Sequence, residues 1–269
     1  MADVQSIKDP LSVTALYIEM VFGTTVLASG SGFLWRHDNK SFLVSNWHNF
    51  SGRDPKTKQP LSKKNAGVPD RVKCRLWKNK LSNGKEIPGM ISEECEFSLV
   101  DESGKPKFLE HPLGSLLDIA ALPLKLDPHV KPYYLNEHKF DEGISIYPGQ
   151  DVFIVGFPLG LITDKPLPVW KRGTIASEPH IPIDGAKKLL VDTATRKGMS
   201  GSFVIAQHTG IFSPDGKLNE KSWIGSGRKI LGIYSGRLGA SDVEVQLGVV
   251  WHRELIDELV AKGQPPEPI

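Results

Sequence analysis

The sequence predicts an all-β fold: two packed six-stranded antiparallel β-barrels followed by a C-terminal α-helix. Three observations predict it. Apolar runs of strand length recur along the chain between turn signals. Glycine (26) and proline (20) are plentiful, which suits many short strands joined by turns better than long helices. Helical spacing is confined to residues 251–263, where Trp251, Leu255 and Leu259, with Ile256 and Val260, recur every four residues. Gly263 supplies the stop and Pro265 lies beyond.

The elements follow in order. Residues 15–22, 25–28, 32–35 and 40–45 read as strands, with Ser29-Gly-Ser-Gly32 between two of them and a turn at His37-Asp38-Asn39. Residues 53–85 break the pattern and read as surface loops around one alternating, exposed strand, 71–77. Residues 94–100 and 116–124 are further strands of the first half. In the second half, 151–156, 169–176, 189–193, 202–206, 229–234 and 245–250 repeat the style. The expected organisation is one domain, 1–269. It holds a first barrel at 12–126 with a basic insertion at 51–90, a polar linker at 127–145, a second barrel at 146–250 and a helix at 251–263.

Composition narrows the class. A chain of 269 residues, 39% hydrophobic and 24% charged, has enough apolar surface for one large core or two small ones and is not of disordered type. The net charge of +2 does not by itself imply nucleic acid. Cys74 and Cys95 are too few to staple a secreted fold and read as free thiols. The polar start resembles no signal peptide, and no apolar run reaches membrane-spanning length. A soluble cytoplasmic protein in a reducing compartment, away from the membrane, is expected.

Three short motifs carry chemistry. In Gly198-Met-Ser200-Gly201, glycines flank a serine, allowing a tight turn and close approach of a substrate. A serine hydroxyl is a weak nucleophile and needs an adjacent base and N–H donors aimed at the developing oxyanion. Phe42-Leu-Val-Ser-Asn-Trp-His48 places a histidine directly after an apolar strand. Leu117-Asp118-Ile-Ala-Ala-Leu122 places an aspartate in an apolar run, where burial is costly unless the carboxylate is paired. Alone, each also fits a plain turn or strand end.

Together these motifs resemble those of the trypsin-like, chymotrypsin-fold peptidases, in the family's chain order His, Asp, Ser. The likeness extends over roughly residues 15–260. Val152-Phe-Ile-Val-Gly-Phe-Pro-Leu-Gly160, Lys171-Arg-Gly-Thr-Ile-Ala176, Val191-Asp-Thr-Ala194 and Ile230-Leu-Gly-Ile-Tyr-Ser235 resemble the bacterial HtrA/DegP-like branch, here without its PDZ domain. The resemblance implies Ser200 as nucleophile, His48 as base and Asp118 as its orienting partner. It implies an oxyanion hole from the N–H groups of Gly198 and Ser200, and substrate-backbone pairing by Ser235, Gly236 and Arg237. The implied partner is a protein or peptide substrate, and no metal or cofactor is implied.

Departures from the family qualify this. Met199 precedes the nucleophile where the secreted branch has an aspartate, so activation by N-terminal trimming is not expected. Gating, if present, is expected in residues 195–198. Asn49 replaces a cysteine after the histidine, and Ser202-Phe203 replaces Gly-Pro. Ala194 stands at the floor of the primary pocket beside residues 247–250, which implies a small or apolar residue before the scissile bond. Residues 51–90 hold eleven Lys/Arg against three Asp/Glu. A solvated loop is the preferred reading there, and a site for nucleic acid or a regulatory protein partner the other. A catalytically silent binding or regulatory module on the same fold is the alternative function. An esterase is disfavoured because Ser200 is followed by a strand-like run rather than a helix.

Overall fold

The computed structural model describes residues 7–62, 67–82, 85–141, 144–161, 166–194, 196–212, 219–220, 222–238 and 246–267. Strands β1 (Ala15–Phe22), β2 (Thr25–His37) and β3 (Lys40–Ser45) come first. Helix α1 (Trp47–Ser51), β4 (Arg71–Ser82), β5 (Lys85–Ser98), β6 (Leu109–Glu110) and β7 (Ala120–Leu124) complete the first half. The second half holds β8 (Asp151–Gly156), β9 (Val169–Ile175), β10 (Lys188–Asp192), β11 (Phe203–Phe212), β12 (Trp223–Arg237), β13 (Leu247–His252) and helix α2 (Arg253–Lys262).

Two antiparallel sheets result, as the strand pattern requires. The second is a closed six-stranded barrel in the order β10-β13-β12-β11-β8-β9. The first has seven strands rather than six, in the order β5-β4-β1-β2-β3-β7-β6. The turn at His37-Asp38-Asn39 is where it was expected. Asp38 and Asn39 both take positive φ (46° and 59°), the left-handed pair that a two-residue hairpin needs between right-twisted strands.

Several elements run longer than their apolar runs. Ser29-Gly-Ser-Gly32 lies inside β2, because Ile18 pairs with Gly30 and Tyr17 with Ser31 across β1. Strands β4 and β5 pair antiparallel along their length, where loops around an exposed strand were expected. Val72, Cys74 and Leu76 of β4 are buried in the core of the first sheet, and Trp77 is buried as well. The basic side chains beside them meet acids across the hairpin: Arg71 with Glu96 at 3.0 Å, Lys73 with Glu94 at 3.2 Å and Lys78 with Glu93 at 2.9 Å. Positive charge at these three positions is therefore locally balanced. In the segment expected as a linker, Val130 and Tyr134 are buried in the core of the first sheet and Leu135 in the core shared by both sheets. Cys74 and Cys95 are free thiols opposite one another in the β4–β5 register. Among the described residues, no helix is long and apolar enough to cross a membrane.

The two sheets share a core. Phe33, Trp35 and Val44 from the first pack with Val155, Phe157, Phe203 and Ile233 from the second, and α2 adds Leu255, Ile256, Leu259 and Val260. Phe33 and Phe203 meet edge to face with centroids 6.0 Å apart. Shared burial couples the halves energetically. Phe203→Ala is expected to cost about 3–5 kcal/mol, the usual range for a fully buried phenylalanine. Urea unfolding followed by tryptophan fluorescence and far-UV circular dichroism should show one coincident, shifted transition. Two separated transitions would show that the barrels unfold independently.

Candidate active site

His48 sits on α1, one turn of helix that follows β3 directly. Asp118 lies two residues before β7, the strand that pairs with β3, so sheet pairing brings the two together. The His48 N–H donates to Asp118 Oδ1 at 2.9 Å, and His48 Nδ1 lies 2.7 Å from Asp118 Oδ2. An ionised carboxylate only accepts, so the proton resides on Nδ1 and Nε2 is left with its lone pair. Asn46 Nδ2 donates to the Asp118 carbonyl at 2.7 Å. The carboxylate side chain is 8% exposed and the imidazole 19%. Burial pulls the imidazole pKa down, but the Asp118 charge and hydrogen bond, with Asp54 adding to them, outweigh it and hold it above the ordinary 6.5.

A third group completes this arrangement, and the sequence did not reveal it. The β12–β13 register slips between Tyr234 and Gly236, leaving Ser235 as the extra residue of a bulge. A bulge re-aims a side chain. Ser235 Oγ donates to Asp118 Oδ2 at 2.5 Å, so a residue expected only to pair with substrate backbone also holds the carboxylate.

Ser200 lies in the turn that leads into β11. That turn is fixed from the first sheet, chiefly by Ser31 of β2. The Ser31 N–H donates to Ser200 O at 2.8 Å, and its Oγ donates to Gly198 O at 2.8 Å. The Phe157 N–H donates to the same Oγ at 3.0 Å, and Ser45 Oγ donates to Ser31 O at 2.7 Å. Asn49 Nδ2 reaches Ser200 O at 3.3 Å. On the second-barrel side, the Gly201 N–H donates to Tyr234 O at 2.9 Å and the Leu159 N–H to Lys197 O at 2.6 Å. Met199 is fully buried among Val152, Ile154, Val204 and Tyr234, an apolar setting that suits no ion pair.

Two glycines are required here. Gly198 has φ +90°, and a Cβ on it would run into Phe157 O. A Cβ on Gly201 would run into Ser31 O. Among the described residues, the N–H groups of Gly198 and Ser200 have no acceptor, and Ser200 Oγ makes no hydrogen bond to His48. Such bonds are often long before substrate arrives. Of the expected gating segment 195–198, Thr195 lies outside the described residues. Lys197 and Gly198 are tied down by the bonds above, so any rearrangement must break them.

The remaining expected residues are Ala194, Gly236 and Arg237. Ala194 is partly exposed just after Thr193, whose N–H donates to Gln246 O at 3.0 Å. Gly236 and Arg237 continue β12 beyond Ser235, paired with Val249 and Gly248. Ser31, Ser45, Asn46 and Asn49 escaped the sequence reading. The available signal was the pair of glycines around Ser31, since glycine inside a strand marks a close backbone approach.

The charge balance gives a direct test. NMR titration should place the His48 imidazole above pH 6.5, and Asp118→Asn should bring it down. Because the folded-state pKa is raised, this pair contributes its full stabilisation below the unfolded value and loses it as pH rises through the folded one. An unchanged titration in Asp118→Asn would refute the assignment of cause.

Residues 30–211 match the family described as trypsin-like peptidase domain. No curated protein sequence matches the chain. Among solved structures, the chain is similar to the active form of the Rv3671c protease from M. tuberculosis, at 15% identity and a TM-score of 0.49, covering 96% of this chain and 84% of that one. It is also similar to a serine endoprotease from Yersinia pestis, at 13% identity and a TM-score of 0.49, covering 93% of this chain and 62% of that one. With most of its length matched by the family, the chain belongs to the trypsin-like peptidases and is a serine endopeptidase.

Proposed function

We propose that this endopeptidase cleaves peptide bonds through Ser200, His48 and Asp118, by way of an acyl-enzyme. The observation that carries this is the buried Asp118 carboxylate, which accepts from the backbone N–H of His48 at Oδ1 and meets both His48 Nδ1 and Ser235 Oγ at Oδ2. Ser200 Oγ attacks the scissile carbonyl and His48 Nε2 takes the hydroxyl proton. The same proton passes to the leaving amine as the C–N bond breaks, and water then repeats the sequence in reverse. Asp118 keeps the imidazole in the productive tautomer and stabilises its charged form. The N–H groups of Gly198 and Ser200 receive the oxyanion. Ser31 is a positioning residue that holds the turn carrying them, through its bonds to the Gly198 and Ser200 carbonyls.

The substrate's acyl side pairs with Ser235, Gly236 and Arg237 as an added strand. Ala194, with residues 247–250, supports a small or apolar residue before the scissile bond. Arg237 beside it favours acidic neighbours. Libraries of fluorogenic peptides test this, and a preference for Arg or Lys before the scissile bond would refute it.

A fluorophosphonate probe should label the wild type, fail on Ser200→Ala and label His48→Ala weakly. Absence of labelling in the wild type would favour a module that keeps the fold without turnover. With a peptide substrate, Ser31→Ala should lower kcat by about tenfold or more at nearly constant KM, because losing one oxyanion donor outright costs about 10²–10³. Ser31→Thr, which keeps the hydroxyl, should recover part of it. The acid limb of kcat/KM should lie above pH 6.5, since only neutral His48 accepts a proton.

A further inference from the structure

We infer that Leu159 and Leu161 form an apolar subsite for the residue that follows the scissile bond. This deepens the reading above and rests on it. The barrel order β12-β11-β8 sets the geometry. The turn bearing Ser200 leads into β11. On one flank is the end of β12, with Ser235, Gly236 and Arg237. On the other is the end of β8, which runs on through Phe157 to Leu161. A peptide whose acyl side pairs with β12 leads its leaving-group side over the second flank.

That flank is built tightly against the oxyanion turn. The Leu159 N–H donates to Lys197 O at 2.6 Å, and the Cβ position of Gly198 lies 3.0 Å from Leu159 N. Phe157 is locked beneath it by Ser31 Oγ and by an edge-on contact with Tyr17, centroids 5.7 Å apart. The Cβ position of Gly160 lies 3.4 Å from Tyr17 Oη. Against this fixed base, Leu159 is 65% exposed and Leu161 57%. Leu159 also holds a left-handed backbone, φ 55°, which asparagine or glycine would adopt with less strain. Strain and solvent-exposed apolar surface together, one hydrogen bond from the oxyanion turn, mark a ligand contact.

Partitioning of the acyl-enzyme reads this subsite directly. A thioester acylates Ser200 without a residue on the leaving side. An added amino-acid amide then competes with water: its nitrogen attacks the acyl carbonyl, its proton passes to His48, and Ser200 Oγ departs carrying that proton. In the wild type, leucinamide should capture the acyl group about tenfold better than glycinamide, the lower end of what an apolar pocket discriminates. Leu159→Asn suits the left-handed backbone, and Leu161→Ser sits at an ordinary φ, so folding is retained in at least one. Both should bring the ratio towards one. Ile224→Ser, equally apolar and 83% exposed at the opposite end of β12 from Ser235, should leave it unchanged. Equal capture of the two amides in the wild type, or a ratio that survives both leucine substitutions, overturns the subsite alone. A wild type that neither forms an acyl-enzyme nor labels with fluorophosphonate overturns the hydrolytic reading and the subsite with it.

Discussion

The hydrogen bonds of Ser31 are the constraint on which the rest of the site depends. His48 and Asp118 belong to the first sheet and Ser200 to the second, and apolar packing between the sheets is not directional enough to set ångström distances. Ser31 is wholly buried, and its hydroxyl and both backbone polar groups are engaged. Two of those bonds end on the carbonyls of Gly198 and Ser200, which pins the turn on both sides of Met199 to the first sheet. Losing a buried partner costs about 1–3 kcal/mol, so the turn has little freedom to drift.

How much of this was legible in the sequence depended on how local the cause was. The Asp38-Asn39 hairpin, the apolar strand at 151–156 and helix α2 follow from turn chemistry and periodicity, and all were expected. Met199 beside Ser200 was read as unable to bind an N-terminus, a reading that rests on side-chain chemistry alone. The hairpin of β4 and β5 was harder. Its lysines and arginines gave a polar surface pattern whose charge partners, Glu93, Glu94 and Glu96, lie some twenty residues away and join only through register.

Ser31 and Ser235 were illegible for the same reason in sharper form. A serine between glycines reads as a turn until the opposing strand is known, and nothing local says that a bulge lifts Ser235 towards Asp118. Asn49 is similar. Its amide donates to Ser45, close by in the chain, and to the Ser200 carbonyl, 151 residues away. Chemistry-bearing residues announce themselves by type, whereas those that hold them in place do so only through long-range pairing.

The shared core carries a consequence in time as well as space. Helix α2 follows His48, Asp118 and Ser200 in the chain, yet its Leu255, Ile256, Leu259 and Val260 close the core between the sheets. During synthesis, His48, Asp118 and Ser200 therefore leave the ribosome before the element that completes the packing around them. The packing that joins the two sheets is therefore complete only once the last element of the fold has docked.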